Sequence, residues 1–149
     1  MEPNFKIGDS KVLESRETLD GLMIRRRRES ADGRRFTTYE RIEMPVLTVV
    51  KRSGNKETFD RDKLLAAIRR SVGKFFNSEL EVEEVVNQVV ERVYSLATDT
   101  ISSRQIGEAV LDVLAKVNEV AYVRYASVFR EFKTLDDFEN ILKEQKKKR

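Results

Sequence analysis

The chain has 149 residues, of which 40% are hydrophobic and 37% charged, and its formal net charge is +3. This length allows one domain of ordinary size or two small ones, and so modest a charge means that any nucleic-acid surface must come from local clustering. Cysteine and histidine are both absent, which excludes disulfides, thiolate nucleophiles, Cys/His zinc sites and Ser-His-Asp triads.

Other signatures of enzymes and of membrane proteins are missing from the sequence as well. There is no Gly-x-x-x-x-Gly-Lys-Ser/Thr loop, no Gly-x-Gly-x-x-Gly turn, no signal-like segment and no apolar run approaching about 18 residues. We therefore expect a protein that is not an enzyme, has no membrane partner and resides in the cytoplasm.

Residues 1–45 are predicted to form a small antiparallel meander. Lys11 to Arg16, Leu22 to Glu29 and Phe36 to Ile42 have the composition of strands, and Asp-Gly pairs at 20–21 and 32–33 mark turns between them. Few apolar side chains are available to anchor these strands. A unit of this size usually depends on a metal, a disulfide or a partner for stability.

Arginine is concentrated in this N-terminal region. Between Ile24 and Arg41 the sequence holds seven arginines against three acidic residues. The guanidinium group is suited to bidentate contacts with phosphates and guanine edges. Side chains alternate along a strand, so Arg25 and Arg27 should lie on one face and Arg26 and Arg28 on the other. The cluster therefore indicates either a nucleic-acid surface or a solvated strand with ion pairs.

Residues 46–64 are predicted to form a β-hairpin that leads directly into a helix. Apolar residues from Val46 to Lys51 are followed by the turn residues Ser53-Gly54-Asn55, a short second strand and the helix N-cap Asp60. This arrangement brings together four charged side chains, namely Lys51, Arg52, Glu57 and Lys63. They form either an anion site at a tight turn and a helix start or a solvated surface hairpin.

The remainder of the chain is predicted to be helical. The first helix covers Arg61 to Val72, the second Glu81 to Leu96, with Glu83 outside its valine face, and the third opens at Thr100 to Ser103 with a serine N-cap. Asn118 opens a fourth helix that extends to Phe132, and Thr134 caps a fifth. The fifth helix has no later element to cover it and is a candidate subunit contact, and the basic residues 146–149 form a frayed tail.

The hairpin and the helix start resemble a known nucleotide-sensing module. The run from Val49 to Leu64, Val-Val-Lys-Arg-Ser-Gly-Asn-Lys-Glu-Thr-Phe-Asp-Arg-Asp-Lys-Leu, is similar to the opening of an ATP-cone. The segment Ala121 to Phe132 resembles the last helix of that module. The resemblance implies that ATP and dATP bind as allosteric ligands, with phosphate, base and helix contacts from Val49, Lys51, Arg52, Glu57, Lys63, Arg124 and Tyr125. By spacing alone, Tyr122, Tyr125 and Phe129 are instead core or interface aromatics.

The N-terminal region resembles the zinc-ribbon of the NrdR family, bacterial repressors of ribonucleotide reductase genes. The similar strings are Glu14-Ser-Arg, Ile24-Arg-Arg-Arg-Arg-Glu and Gly33-Arg-Arg-Phe-Thr-Thr-Tyr-Glu-Arg. The family's ribbon carries two Cys-x-x-Cys pairs, whereas this chain has about Glu2 and Phe5 at the first pair and Ser30 and Asp32 or Gly33 at the second. Zinc is therefore not expected. The resemblance implies DNA contacts from Arg16, Arg25, Arg26, Arg27, Arg28, Arg34, Arg35, Thr37 and Arg41.

The two resemblances together predict an α+β protein, with a small antiparallel, zinc-ribbon-like but metal-free β ribbon followed by a helical ATP-cone with a β-hairpin cap. The predicted boundaries are 1–45 for the ribbon, 46–137 for the cone and 138–149 for the end of the last helix and the tail. The implied function is nucleotide-responsive repression of ribonucleotide reductase genes, with double-stranded promoter DNA, adenine nucleotides and further copies of the chain as partners. The alternative is a nucleotide-sensing interaction protein whose arm no longer binds DNA.

Overall fold

The N-terminal part of the chain is an antiparallel meander. The computed structural model describes residues 6–148, and the residues up to Met44 form one compact unit. After a short 3-10 turn at Ile7–Asp9, its strands follow in the order β1-β2-β3: β1 (Ser10–Glu17), β2 (Met23–Ser30) and β3 (Arg35–Arg41). Gly21 and Gly33 have φ of +71° and +86°, which explains why glycine follows aspartate in both turns. The predicted three-stranded meander is confirmed.

The second compact unit begins at Pro45 and combines a small sheet with packed helices. Its strands are β4 (Thr48–Val50), β5 (Lys56–Thr58) and β6 (Thr100–Ser102), arranged in the order β5-β4-β6. The helices are α1 (Arg61–Val72), α2 (Glu79–Leu96), α3 (Ser103–Val117), α4 (Glu119–Phe129) and α5 (Leu135–Lys148). The predicted α+β class, a β ribbon followed by a helical region with a hairpin, is confirmed.

A valine-rich core holds this second unit together. The apolar face of α2 contributes Val85, Val86, Val89 and Val93, none of them more than 1% exposed. Burial of each such side chain contributes about 1.5–3 kcal/mol relative to leaving it in water. Helices α3 and α4 approach closely at Gly107, where an added Cβ would lie 2.1 Å from a ring carbon of Phe129. The core therefore fixes the helices that carry the candidate site residues.

Strand β6 differs from the sequence-based prediction. Thr100 to Ser103 was expected to open a helix, but Thr100–Ser102 pairs in parallel with β4, and Ile101 is buried opposite Val49. Ile101 is the only buried apolar residue in this strand. The sequence therefore shows no alternation of apolar and polar residues from which the strand could be predicted. The serine cap is confirmed, because Ser102 forms a capping box with Gln105 at the start of α3.

Two helix ends also differ from the prediction. Helix α2 starts at Glu79 rather than Glu81, because Ser78 accepts a hydrogen bond from the Glu81 amide as N-cap. Helix α4 ends at Phe129 rather than Phe132. Glu131 has a φ of +53°, a left-handed conformation that interrupts the helix.

Helix α5 is attached to α3 and α4 by both packing and polar contacts. Ile141 is 1% exposed, and the buried Gln145 side chain donates to the Ala115 carbonyl at 3.1 Å. Arg130, just after α4, pairs with Glu144 on α5 at 2.6 Å and with Glu108 on α3 at 3.0 Å. Residues 138–148 thus belong to one helix that begins at Leu135.

Candidate functional sites

The hairpin and the first turn of α1 bring two lysines to one carboxylate. Lys63 Nζ lies 2.9 Å from Glu57 Oε1, and Lys51 Nζ lies 3.1 Å from Glu57 Oε2. Hydrogen bonds from Lys63 and then Lys51 hold the pKa of Glu57 below its ordinary value, and Glu57 in turn raises the pKa of Lys63. Glu57 and Lys63 are therefore both charged at neutral pH. The cluster presents two partly exposed ammonium groups in fixed positions, an arrangement suited to a polyphosphate.

The other two hairpin residues have different environments. Val49 is 5% exposed and pairs with Glu57 on one side and Ile101 on the other, so it belongs to the core beneath the hairpin. Arg52 lies in the exposed turn, and its side chain makes no hydrogen bond or ion pair within residues 6–148. Arg52 is thus available to an external anion.

The start of α1 contributes the charged side chain of Lys63 rather than free backbone amides. Asp60, the N-cap, accepts hydrogen bonds from the amides of Asp62 and Lys63 at 2.9 and 3.4 Å. These amides would otherwise be unsatisfied donors that attract an anion. The helix start itself is therefore already capped, and Lys63 is the group through which it can hold a phosphate.

The two α4 residues named from the resemblance differ in exposure. The Arg124 side chain is exposed, whereas Tyr125 is half-buried and stacks on Phe129 with ring centroids 5.8 Å apart. Burial raises the pKa of Tyr125 to about 12, so its hydroxyl stays protonated at neutral pH. Helix α4 packs against α1, the helix that carries Lys63. Tyr125 thus stacks on Phe129, as its spacing allowed, and remains half-buried on a helix that packs against α1.

A buried polar cluster beside the lysines was not predicted. Arg61, two residues before Lys63, donates through Nη2 to Glu83 Oε2 at 2.8 Å and to Asn87 Oδ1 at 2.5 Å. Glu83 is only 3% exposed, so its placement outside the buried face of α2 was wrong. Glu83 and Asn87 are spaced i and i+4 among the valines of α2, and this spacing is the sequence signal that could have predicted a polar cluster on the buried face. The cluster fixes the start of α1 to α2.

Most of the arginines named as DNA contacts have partners within the ribbon. Arg26 pairs with Glu40 at 3.2 Å, and Arg28 donates to Thr38 and Ser10. Arg27 donates to the Thr37 hydroxyl at 3.0 Å. At the edges, three further pairs are Arg16–Glu14, Arg34–Asp32 and Arg35–Glu29, and Arg41 lies over the ring of Tyr39.

The turn that corresponds to the second cysteine pair is held by hydrogen bonds. Asp32 accepts from the Ser30 hydroxyl, from the Arg34 amide at 3.2 Å and from Arg34 Nε at 2.7 Å. These bonds, that of the Arg34 side chain first, hold the pKa of Asp32 well below its usual range. Glu2 and Phe5, at the first pair, lie outside the described residues.

A structural zinc does not fit this ribbon. Structural zinc is bound by thiolates and imidazoles, and the chain contains neither cysteine nor histidine. Among the described residues, no group of three or more acidic side chains is placed to hold a metal ion. The Asp32 turn has a bonded geometry of its own, so it does not depend on a metal to define its shape.

The resemblance to a DNA-binding ribbon therefore predicts DNA binding that is insensitive to chelators. Millimolar EDTA should change the affinity for DNA by less than about twofold, because the folding of the ribbon does not depend on bound zinc. The Asp32→Ala variant should weaken binding by disordering the turn, whereas Asp9→Ala should not. Fluorescence anisotropy with a labelled duplex measures both effects. A large loss of affinity on chelation would contradict the metal-free ribbon.

Comparisons with known proteins agree with this architecture. Residues 47–135 match the ATP cone domain model, and residues 4–40 match the model of the transcriptional repressor NrdR-like N-terminal domain. The chain is 46% identical to the transcriptional repressor NrdR of Streptococcus sanguinis over 136 residues, covering 91% of this chain and 87% of that protein. It is 47% identical to the Thermosynechococcus vestitus repressor over 131 residues, covering 87% and 81%.

The fold and these matches define an ATP-cone protein with an N-terminal ribbon domain. The chain belongs to the NrdR family of transcriptional repressors, which is not a family of enzymes. Within the described part of the chain, none of the helices combines the length and the hydropathy that a membrane span requires.

Proposed function

We propose that this protein is a nucleotide-responsive transcriptional repressor of ribonucleotide reductase genes. The observation that carries the proposal is the cluster in which Glu57 holds Lys51 and Lys63 side by side next to the capped start of α1. Two ammonium groups at fixed positions, with Arg52 exposed in the adjacent turn, are suited to the phosphates of ATP or dATP. Val49 lies buried in the strand beneath and supports the hairpin rather than reaching the base, and Arg124 and Tyr125 would complete the site from α4.

The response to nucleotide is a change in the assembly of the chain. ATP and dATP differ only in the 2′-hydroxyl, so each must stabilise a different subunit arrangement, with a coupling free energy of about 1–3 kcal/mol on the usual scale. The arrangement of subunits sets the distance between the arginine-rich ribbons. It therefore determines whether paired sites on double-stranded DNA are contacted together.

A mobility-shift experiment on a ribonucleotide reductase promoter tests this proposal. We expect the affinity to differ among protein with ATP, with dATP and with neither, and to fall steeply with salt because phosphate contacts release counterions. Size-exclusion chromatography with light scattering should give different masses for the ATP and dATP states. Coinciding masses would contradict the switch. Nucleotide binding without DNA binding would favour an interaction protein with a degenerate arm.

A further inference from the structure

The register of the ribbon divides its side chains between two faces of very different charge. Pairing across β2 aligns Arg25 with Arg16 and Tyr39, and Arg27 with Glu14 and Thr37. We call this face the odd face because its β2 residues have odd numbers. Its basic side chains are Lys11, Arg16, Arg25, Arg27, Arg35 and Arg41. Its carboxylates are Glu14 and Glu29.

The opposite face is balanced in charge. This even face carries Arg26 and Arg28 of β2, with Glu17 of β1 and Glu40 of β3 as its carboxylates. It also holds apolar groups, since Arg28 is aligned with Val12 and Phe36. A balanced face with apolar groups offers little to a polyanion.

The bonding of the four consecutive arginines follows the same division. On the even face, Arg26 is paired with Glu40, and Arg28 donates to both outer strands, through Ser10 at 3.1 Å and Thr38 at 3.0 Å. On the odd face, Arg27 bonds only a neutral hydroxyl, and Arg25 makes no side-chain hydrogen bond or ion pair within residues 6–148. The even pair makes three contacts to the outer strands, one of them to a carboxylate, whereas the odd pair makes a single contact to a hydroxyl.

We infer that the odd face, through Arg25 and Arg27, is the surface that contacts duplex DNA, and that Arg26 and Arg28 are positioning residues of the ribbon. Arginine binds both DNA phosphates and the guanine edges in the major groove. The inference rests on the proposed function, and it assigns half of the arginine run to DNA and half to a scaffold that lacks zinc.

Alanine variants of the four arginines test this assignment. Arg25→Ala and Arg27→Ala should each weaken promoter binding by at least about tenfold, as expected for loss of a charged hydrogen bond, and should lower the salt slope by about one. Arg26→Ala and Arg28→Ala, the matched controls, should leave the salt slope unaltered because they contact no phosphate, and any loss of affinity should follow the loss of ribbon structure seen by circular dichroism. Fluorescence anisotropy at several salt concentrations measures both quantities.

Neighbouring threonines provide a second pair of variants that keeps every arginine. Thr37→Glu places a negative charge on the odd face and Thr38→Glu places one on the even face, and both still offer an acceptor to the arginine that bonds there. We expect Thr37→Glu to abolish specific binding and Thr38→Glu to retain it, with circular dichroism showing both ribbons folded.

The outcomes separate this inference from the proposed function. A salt slope that falls with Arg26→Ala or Arg28→Ala and stays unchanged with Arg25→Ala or Arg27→Ala would overturn the odd-face assignment and leave the repressor function standing. Equal reductions of the salt slope on both faces, or specific binding kept by Thr37→Glu and lost with Thr38→Glu, would overturn it as well. Absence of wild-type binding in every nucleotide state would overturn both.

Discussion

Replacing Lys63 by alanine is expected to weaken ATP and dATP binding by roughly tenfold or more, the scale of a lost charge-assisted hydrogen bond. In the structure Lys63 already lies 2.9 Å from Glu57, which also holds Lys51, so the two groups proposed to bind phosphate are in position before a nucleotide arrives. Such preorganisation lowers the entropy lost on binding. Isothermal titration calorimetry with each nucleotide measures the change.

Lys56 provides the matched control for this variant. It is exposed on β5 directly beside Glu57, and strand alternation places it on the opposite face from Glu57. Lys56→Ala removes the same charge from the neighbouring hairpin strand and should leave nucleotide affinity unchanged. Affinity for dATP that stays within about twofold of wild type in Lys63→Ala would show that this lysine is not a phosphate ligand.

Replacing Glu83 by alanine should destabilise the second unit by about 3–5 kcal/mol, because the buried charge of Arg61 would lose its ionic partner. The side chains of Arg61 and Glu83 are only 16% and 4% exposed, and their atoms approach to 2.8 Å. Urea unfolding followed by circular dichroism measures the effect. Nucleotide affinity should fall in parallel, since Arg61 fixes the turn that carries Lys63.

Two further variants determine whether the ion pair is responsible. Glu91→Ala alters an exposed glutamate of the same helix and should be nearly neutral. Combining Arg61→Met with Glu83→Leu removes both charges and should recover most of the lost stability, because apolar replacement of a buried pair is often neutral. A Glu83→Ala variant as stable as Glu91→Ala would show that the buried pair contributes nothing.

Much of the proposed nucleotide site follows from local sequence. Lys51, Glu57 and Lys63 lie within a hairpin and the helix that follows it, and a glycine with φ of +88° at position 54 closes the turn between the strands. Their proximity requires only short-range geometry: an antiparallel register of a few residues and one capped helical turn. Periodicity and turn residues were therefore sufficient to predict that these three charges would meet, whereas Arg52, grouped with them from the sequence, makes no ion pair with Glu57.

The sequence by itself determined which residues form the ribbon, the hairpin and most of the helices, because strand alternation, turn glycines and serine caps act over a few residues. Only the tertiary structure decided that Thr100–Ser102 is a strand, because its pairing with β4 crosses about fifty residues of chain. The same is true of Arg61 and Glu83, whose contact joins two helices, and of the partner that each ribbon arginine takes. Contacts between distant segments depend on register and packing, and these exist only when the chain has folded.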